Sequence, residues 1–245
     1  MFAIALIGMG ALHFTSGHFL FDFPVPATFM GGVLPAYVNG SLLIIAGVLM
    51  LTKKQALAGA LLTAFIFLAF LLIRHVPMLV MGENMPGERT SAAETALFLG
   101  GALMLAGSIL KSHQTQNRGR LLFAAGEYLF ALGLFAFGVL HYVSEVFVVS
   151  IIPSWIPWKT FWAYFVMTCF FAAAISIFIQ RLVPLSSLLL SLMFFLFICL
   201  MHLPDVIRAG HAEPNWTNLF VPIGLSGIGL MLAGSTVKQD KQRTP

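Results

Sequence analysis

Four histidines are the residues of this sequence best suited to chemistry, because they recur at matched positions inside apolar stretches. The motif GALH, which ends at His13, returns as GVLH ending at His141, and HVP at His75 returns as HLP at His202. An imidazole in such surroundings binds a metal or haem, relays protons or hydrogen-bonds a quinone carbonyl. The candidate ligand-binding or proton-handling residues are therefore His13, His75, His141 and His202.

One carboxylate lies close to a member of this set in sequence. Glu145 follows His141 by four residues, so a continuous helix would project both from one face. A carboxylate in that place orients an imidazole, which adds Glu145 to the candidate site. The first half carries Gly17 at this spacing. The alternative is that Glu145 is a solvated residue near the membrane surface.

Arg74, next to His75, needs a partner because a charged group close to the hydrocarbon is costly. The candidates are Glu94, Glu83, Glu88 and a lipid phosphate. We expect a structural ion pair between Arg74 and Glu94. The spacing of these residues matches no metal motif, so no metal site is predicted, and no catalytic residue can be assigned.

The matched histidines belong to a duplication that covers the whole chain. The stretch LMLAG at 103–107 returns unchanged at 230–234, Tyr37 matches Tyr164, and the offset stays at 127 to 128 residues. The duplication predicts a first unit over 1–110, a basic linker over 111–120, a second unit over 121–237 and a polar tail over 238–245.

Composition places both units in a membrane. Of 245 residues, 59% are hydrophobic and only 9% are charged, whereas soluble chains carry roughly a quarter charged residues. A spanning helix needs about 20 apolar residues, and eight such segments occur, at 2–21, 33–51, 56–80, 91–110, 121–149, 160–179, 183–203 and 218–236. We expect an all-α, polytopic membrane helical bundle of about eight transmembrane helices, arranged as two parallel four-helix repeats.

The distribution of charge predicts the orientation of the bundle. Nine of the 13 basic residues fall in the loops after even-numbered helices or in the tail, and most acidic residues lie in the opposite loops. The positive-inside rule therefore places both termini in the cytoplasm and the protein in the inner (plasma) membrane. The net charge of +4 comes from these short loops, so nucleic acid is not an expected partner.

With this orientation all four histidines lie toward the outer face, where three arrangements are open. Each repeat could form its own pair, His13 with His75 and His141 with His202, or all four could converge on the pseudo-two-fold axis. In the third arrangement each histidine is structural and bonds a backbone carbonyl that the nearby proline frees.

The second half also carries the motifs of a known family. A GVLH motif near the end of one helix is followed by the proline- and tryptophan-rich loop IPSWIPW at 152–158, a helix that opens around Tyr164, the HLP motif at His202 and NWTNL at 215–219. This pattern resembles DoxX-like membrane proteins. The first half is a diverged copy, whereas the family usually has a single four-helix unit.

The resemblance implies a four-helix membrane bundle, in some members linked to quinone-coupled oxidation of sulfur compounds or to oxidative-stress complexes. We expect a redox-associated membrane subunit that holds a small apolar ligand near the outer face. A quinone is preferred over haem as its cofactor, and the expected partners are the lipid bilayer and other membrane or periplasmic redox proteins. The alternatives are a non-catalytic scaffold or assembly protein and a small-molecule transporter. Because Cys169 and Cys199 form no Cys-X-X-Cys pair, a disulfide relay is not expected.

Overall fold

The computed structural model describes residues 1–20, 33–81, 86–111, 116–210 and 212–241. In this part of the chain every regular element is a helix. The helices are α1 (Phe2–Ser16), α2 (Val33–Leu51), α3 (Ala56–Met81), α4 (Pro86–Lys111), α5 (Gln116–Val143), α6 (Glu145–Ile151), α7 (Lys159–Phe178), α8 (Val183–Ala209) and α9 (Glu213–Lys241).

The expected all-α membrane bundle is confirmed. Seven of the described helices are long and apolar enough to cross a membrane, whereas α1 is shorter. It ends before residue 21 because Gly17 adopts the left-handed conformation, with φ of 70°, and its N–H bonds to the carbonyl of His13. The exact number of spanning helices therefore depends on α1.

Several helix ends differ from the predicted segments. The segment expected over 121–149 is two helices, because α5 ends at Val143 and the short α6 begins at Glu145. Of the linker predicted over 111–120, Lys111 belongs to α4 and residues 116–120 belong to α5, whereas residues 112–115 lie outside the described part of the chain. The polar tail expected from residue 238 begins inside α9, which continues to Lys241.

The helices form a ring in which each packs against the next. Within the first repeat α1, α2, α3 and α4 are neighbours in that order, and α5, α7, α8 and α9 repeat this order. The repeats meet where α4 packs on α5, α9 on α1, and α4 on α9. A pseudo-two-fold relation exchanges the two halves of this contact pattern. This relation places α4 and α9 at the centre of the bundle. More than half of the apolar segment of each of these two helices is buried.

Paired glycines allow the closest approach between the repeats. A β-carbon on Gly100 would lie 2.7 Å from the carbonyl oxygen of Gly126, and one on Gly107 would lie 2.7 Å from that of Gly119. The glycines are seven residues apart on both helices, so they face each other along two turns of the antiparallel pair. Small residues at such contacts let membrane helices pack backbone to backbone.

The outer surface of the ring is apolar. Large hydrophobic side chains such as Phe65, Leu132 and Leu188 are exposed on α3, α5 and α8, which fits contact with lipid. The antiparallel order also defines two ends. We call the end with the α2–α3, α4–α5 and α7–α8 connections the basic end, because it carries Lys53, Lys54 and Arg181, and the opposite end the histidine end.

The glycine contacts predict different effects of one substitution at matched positions. Gly107→Ala should lower the melting temperature of the detergent-solubilised protein, because overpacking costs about 1–3 kcal/mol. Gly234→Ala is the matched control in the second repeat, where no described neighbour lies within 4 Å of the added β-carbon. It should be neutral or stabilise α9 by up to about 1 kcal/mol through helix propensity. Equal melting temperatures for the two variants would contradict this packing.

Candidate functional site

All four repeated histidines lie toward the histidine end of the bundle. Their hydrogen-bond partners differ between the two repeats. His13 is fully buried near the end of α1. Its Nδ1–H donates to the carbonyl oxygen of Met9 over 2.8 Å, and its Nε2 accepts a hydrogen bond from Asn39 Nδ2 over 2.9 Å. Both ring nitrogens are therefore used inside the protein, and the imidazole joins α1 to α2.

His75 also bonds to a neighbouring helix. It ends a π-helical turn, Leu71–His75, within α3. Its Nε2 lies 2.9 Å from Thr95 Oγ1 on α4, and both side chains are buried. His75 thus joins α3 to α4 as His13 joins α1 to α2.

The π-helical turn itself is repeated. In the second repeat it spans Ile198–His202 of α8, so each turn ends at the matched histidine. Pro77 and Pro204 follow two residues later. A proline inside a helix has no N–H to donate and its ring crowds the preceding turn, and an inserted π-turn is one way to accommodate the break. The feature that accompanies the proline is therefore the π-helical turn. His75 bonds a threonine side chain and not a backbone carbonyl that the proline leaves without a donor.

His141 keeps only one of the two bonds of its counterpart. Its Nδ1–H donates to the carbonyl oxygen of Phe137 over 2.9 Å, and its ring packs edge-on against Phe170 with centroids 5.2 Å apart. The position that matches Asn39 is Val166, which has no polar group. Among the described residues no hydrogen bond reaches His141 Nε2, so its lone pair is open to a donor.

His202 has lost its partner as well. Thr95 is matched by Pro222, which lies inside α9. No described residue forms a hydrogen bond with the imidazole of His202, which is half-buried. The roles of Asn39 and Thr95 were not predicted from the sequence. Each is a polar residue within an apolar segment of the first repeat, and the matched residue of the second repeat is not polar. That difference between the repeats was the signal that could have indicated them.

Glu145 does not contact His141 in the way expected. Because α5 ends at Val143, the two residues do not share a continuous helix, and Glu145 starts α6. Its Oε2 accepts a hydrogen bond from the Tyr164 hydroxyl over 3.0 Å. The pairing of Glu145 with His141 was inferred from helical spacing and is absent from the described contacts. Tyr37, which matches Tyr164, instead stacks on Phe14 with centroids 5.0 Å apart.

Arg74 forms an ion pair at the start of α4. Its Nη2 lies 2.6 Å from Glu88 Oε1, and the arginine is buried. Glu88 was one of the candidates named from the sequence. The pair with Glu94, six residues further along α4, stays a prediction.

The histidines do not form a shared metal site within the described residues. No three side chains of histidine, cysteine, aspartate or glutamate there are grouped closely enough to hold a metal ion. A structural role fits His13 and His75, although each bonds a side chain of a neighbouring helix and not the proline-freed carbonyl that was expected. A ligand site remains open for His141 and His202.

A short covering segment lies over the histidine end of the second repeat. The buried residues Val148, Ile152 and Ala163 form a small apolar cluster, against which Met201 packs. Met201 precedes His202, so α6 and the loop after it lie close to this histidine. Trp158, in the same loop, is 79% exposed, which suits a membrane interface. The corresponding loop of the first repeat, Asp22–Pro26, lies outside the described residues.

Two shallow, open clefts on the described part of the chain lie toward the basic end. One is open beside Ser176 and Arg181 of the α7–α8 connection. The other, of about 360 Å³, lies between the repeats beside Met1, Met50 and Met231. Neither cleft is lined by one of the four histidines.

Fold and contacts together define a class of protein. The chain is a multi-pass, all-α membrane protein, in which both histidines of the first repeat bond a side chain of a neighbouring helix, whereas among the described residues neither histidine of the second repeat does. No family model, curated protein or solved structure matches it.

The contrast between the repeats predicts different costs of removing matched histidines. His13→Ala should lower stability by about 1 kcal/mol or more, because it breaks an interhelical hydrogen bond and leaves buried Asn39 unpaired. His141→Ala removes no interhelical bond and should cost less. Melting temperatures in one mild detergent compare the two. If the melting temperature fell more in His141→Ala than in His13→Ala, the result would mean that His13 does not join α1 to α2.

Proposed function

We propose that the protein binds a small apolar molecule of the quinone or quinol class at the histidine end of its second repeat. The observation that carries the proposal is the loss of both interhelical partners there. Val166 and Pro222 stand where the first repeat has Asn39 and Thr95. Polar groups at membrane depth are costly unless bonded, so the open nitrogens of His141 and His202 favour an external ligand.

The geometry of His141 indicates how such a ligand would bind. Because Nδ1–H is committed to the Phe137 carbonyl, Nε2 is an acceptor in the neutral ring. It would accept a hydrogen bond from a quinol hydroxyl, and later its proton. His202 would donate to a second oxygen of the ligand. The ring of Phe170 supports His141 and offers an apolar surface for a planar headgroup.

The wider function follows from the resemblance described above. The protein is proposed to be a DoxX-like, redox-associated subunit of the inner membrane, with both termini in the cytoplasm and with membrane or periplasmic redox proteins as partners. His13 and His75 would stabilise the first repeat and take no part in binding. A scaffold without a ligand is the rival function.

Ligand binding is tested with a short-chain ubiquinone analogue on the full-length protein in mild detergent. We expect saturable quenching of the intrinsic tryptophan fluorescence, with affinity weakened about tenfold or more in His141→Ala and His202→Ala, since each removes a hydrogen bond to the ligand. His75→Ala is the matched control, with unchanged affinity in the fraction that stays folded. An organic extract of the unmodified protein should contain a quinone.

Two results would argue for the scaffold. One is a colourless protein with no extractable quinone and no saturable quenching. The other is equal affinity in the His141→Ala and His75→Ala variants. Either result would show that the open nitrogens do not hold this ligand.

Orientation is tested by labelling single cysteines in a background with Cys169→Ala and Cys199→Ala. In intact spheroplasts a membrane-impermeant maleimide should react with Trp155→Cys at the histidine end and not with Lys54→Cys at the basic end. Both native side chains are exposed, so both thiols should react once the membrane is permeabilised. The reverse pattern of labelling would overturn the proposed orientation.

A further inference from the structure

The connection between α7 and α8 holds an arginine between two strained residues. Gln180 and Leu182 flank Arg181, and both have left-handed backbones, with φ of 53° and 57°. Residues other than glycine rarely adopt this conformation, because their β-carbon is crowded, and such strain is concentrated at functional sites. Within the described residues Trp158 is the only other non-glycine residue with a positive φ. The matched α2–α3 connection of the first repeat therefore lacks this geometry.

Ser176 fixes the backbone of Arg181 with two hydrogen bonds. The N–H of Arg181 donates to the carbonyl oxygen of Ser176 over 3.0 Å, and the hydroxyl of Ser176 donates to the carbonyl oxygen of Arg181 over 2.5 Å. Ser186 Oγ lies 2.8 Å from the same hydroxyl oxygen. The matched residues of the first repeat, Leu49 and Gly59, have no hydroxyl group. This set of side-chain bonds therefore belongs to the second repeat.

An open apolar cleft lies beside Arg181. It has a volume of about 720 Å³, and Ala172, Ile175 and Ile179 line it along α7. We call these three residues the α7 stripe, because their spacing of three and four residues places them on one face of the helix. At 1.5 Å per residue the stripe is about 10 Å long. It leads from Arg181 at the basic end into the part of α7 that is apolar enough to span the membrane.

The guanidinium group of Arg181 is available to a ligand. Arg181 is exposed, and its side chain forms no ion pair or hydrogen bond with a described residue. None of the described residues that line the cleft is acidic. A guanidinium forms two parallel hydrogen bonds with a phosphate, and basic groups at the membrane surface attract anionic lipids. A cation at the mouth of an apolar cleft therefore matches a phosphate that carries acyl chains.

We propose that this cleft binds one anionic phospholipid, with its phosphate on Arg181 and an acyl chain along the α7 stripe. A zwitterionic lipid offers the same chains, but its ammonium group cancels the negative charge that Arg181 would neutralise. The first repeat has Lys54 at the matched position. A lysine binds phosphate as a point charge without the planar fork of an arginine, and the hydroxyl bonds of Ser176 have no counterpart beside it. The site is therefore specific to the second repeat.

Native mass spectrometry of the full-length protein in mild detergent measures the lipid preference. Phosphatidylglycerol and phosphatidylcholine with the same oleoyl chains are titrated separately. We expect one phosphatidylglycerol per chain to bind saturably, about tenfold or more tighter than phosphatidylcholine. Arg181→Gln should remove this preference, since it loses the charge-assisted hydrogen bonds to the phosphate. Lys54→Gln is the matched control, because it removes the same charge from the first repeat, and it should bind as the unmodified protein does.

A second pair of variants tests the apolar part of the cleft. Ala172→Phe keeps Arg181 but places a ring on the α7 stripe, and it should weaken phosphatidylglycerol binding about tenfold or more. Ile45→Phe is the matched control, because Ile45 has the corresponding position on α2 and is exposed. It should bind normally. Since Ala172 and Ile45 are both exposed, both variants should keep the circular dichroism spectrum and elution volume of the unmodified protein.

Three results would overturn the proposal. They are equal affinity for the two lipids, equal binding by the Arg181→Gln and Lys54→Gln variants, and displacement of the lipid by glycerol 1-phosphate, which would make Arg181 a site for a soluble phosphate. The histidines lie at the opposite end of the bundle. The outcome is therefore independent of whether a quinone binds there.

Discussion

The close approach of α4 and α5 is the contact on which the architecture depends. Gly100 and Gly107 face Gly126 and Gly119 across it, so the backbones pack without side chains between them. Lipid supplies no hydrophobic drive that would push these helices together, and dispersion contacts between closely packed backbones have to hold them. The contact joins the end of the first repeat to the start of the second, and it brings α4 to the centre where it meets α9. The other helices are arranged around α4 and α9.

A second constraint acts on the polar groups that the ring encloses. Backbone and side-chain groups inside a bilayer must be bonded within the protein or to a bound molecule. The first repeat meets part of this requirement with two interhelical pairs, His13 with Asn39 and His75 with Thr95, while Nδ1 of His75 has no partner among the described residues. The second repeat retains both histidines and the π-helical turn but replaces the partners with apolar residues. Within the described residues, the histidines of the first half therefore join neighbouring helices, and those of the second half do not.

Much of the fold could be predicted because it rests on local properties of the chain. Apolar length indicated the helices, and the offset of 127 to 128 residues indicated two equivalent units. The failures came at helix ends and in side-chain pairing. Gly17 and Ser144 end helices inside stretches that are apolar throughout, so hydropathy could not locate these breaks. The expected pair of Glu145 with His141 assumed a continuous helix, and the break at Ser144 turns Glu145 toward Tyr164.

The sequence by itself determined the membrane class, the duplication and the placement of four histidines toward one end, because composition and periodicity act through lipid solvation and helix length. Only the tertiary structure decided which imidazole nitrogens are bonded and which glycines meet backbone to backbone. Those properties depend on contacts between residues far apart in sequence, such as His13 with Asn39 and Gly107 with Gly119.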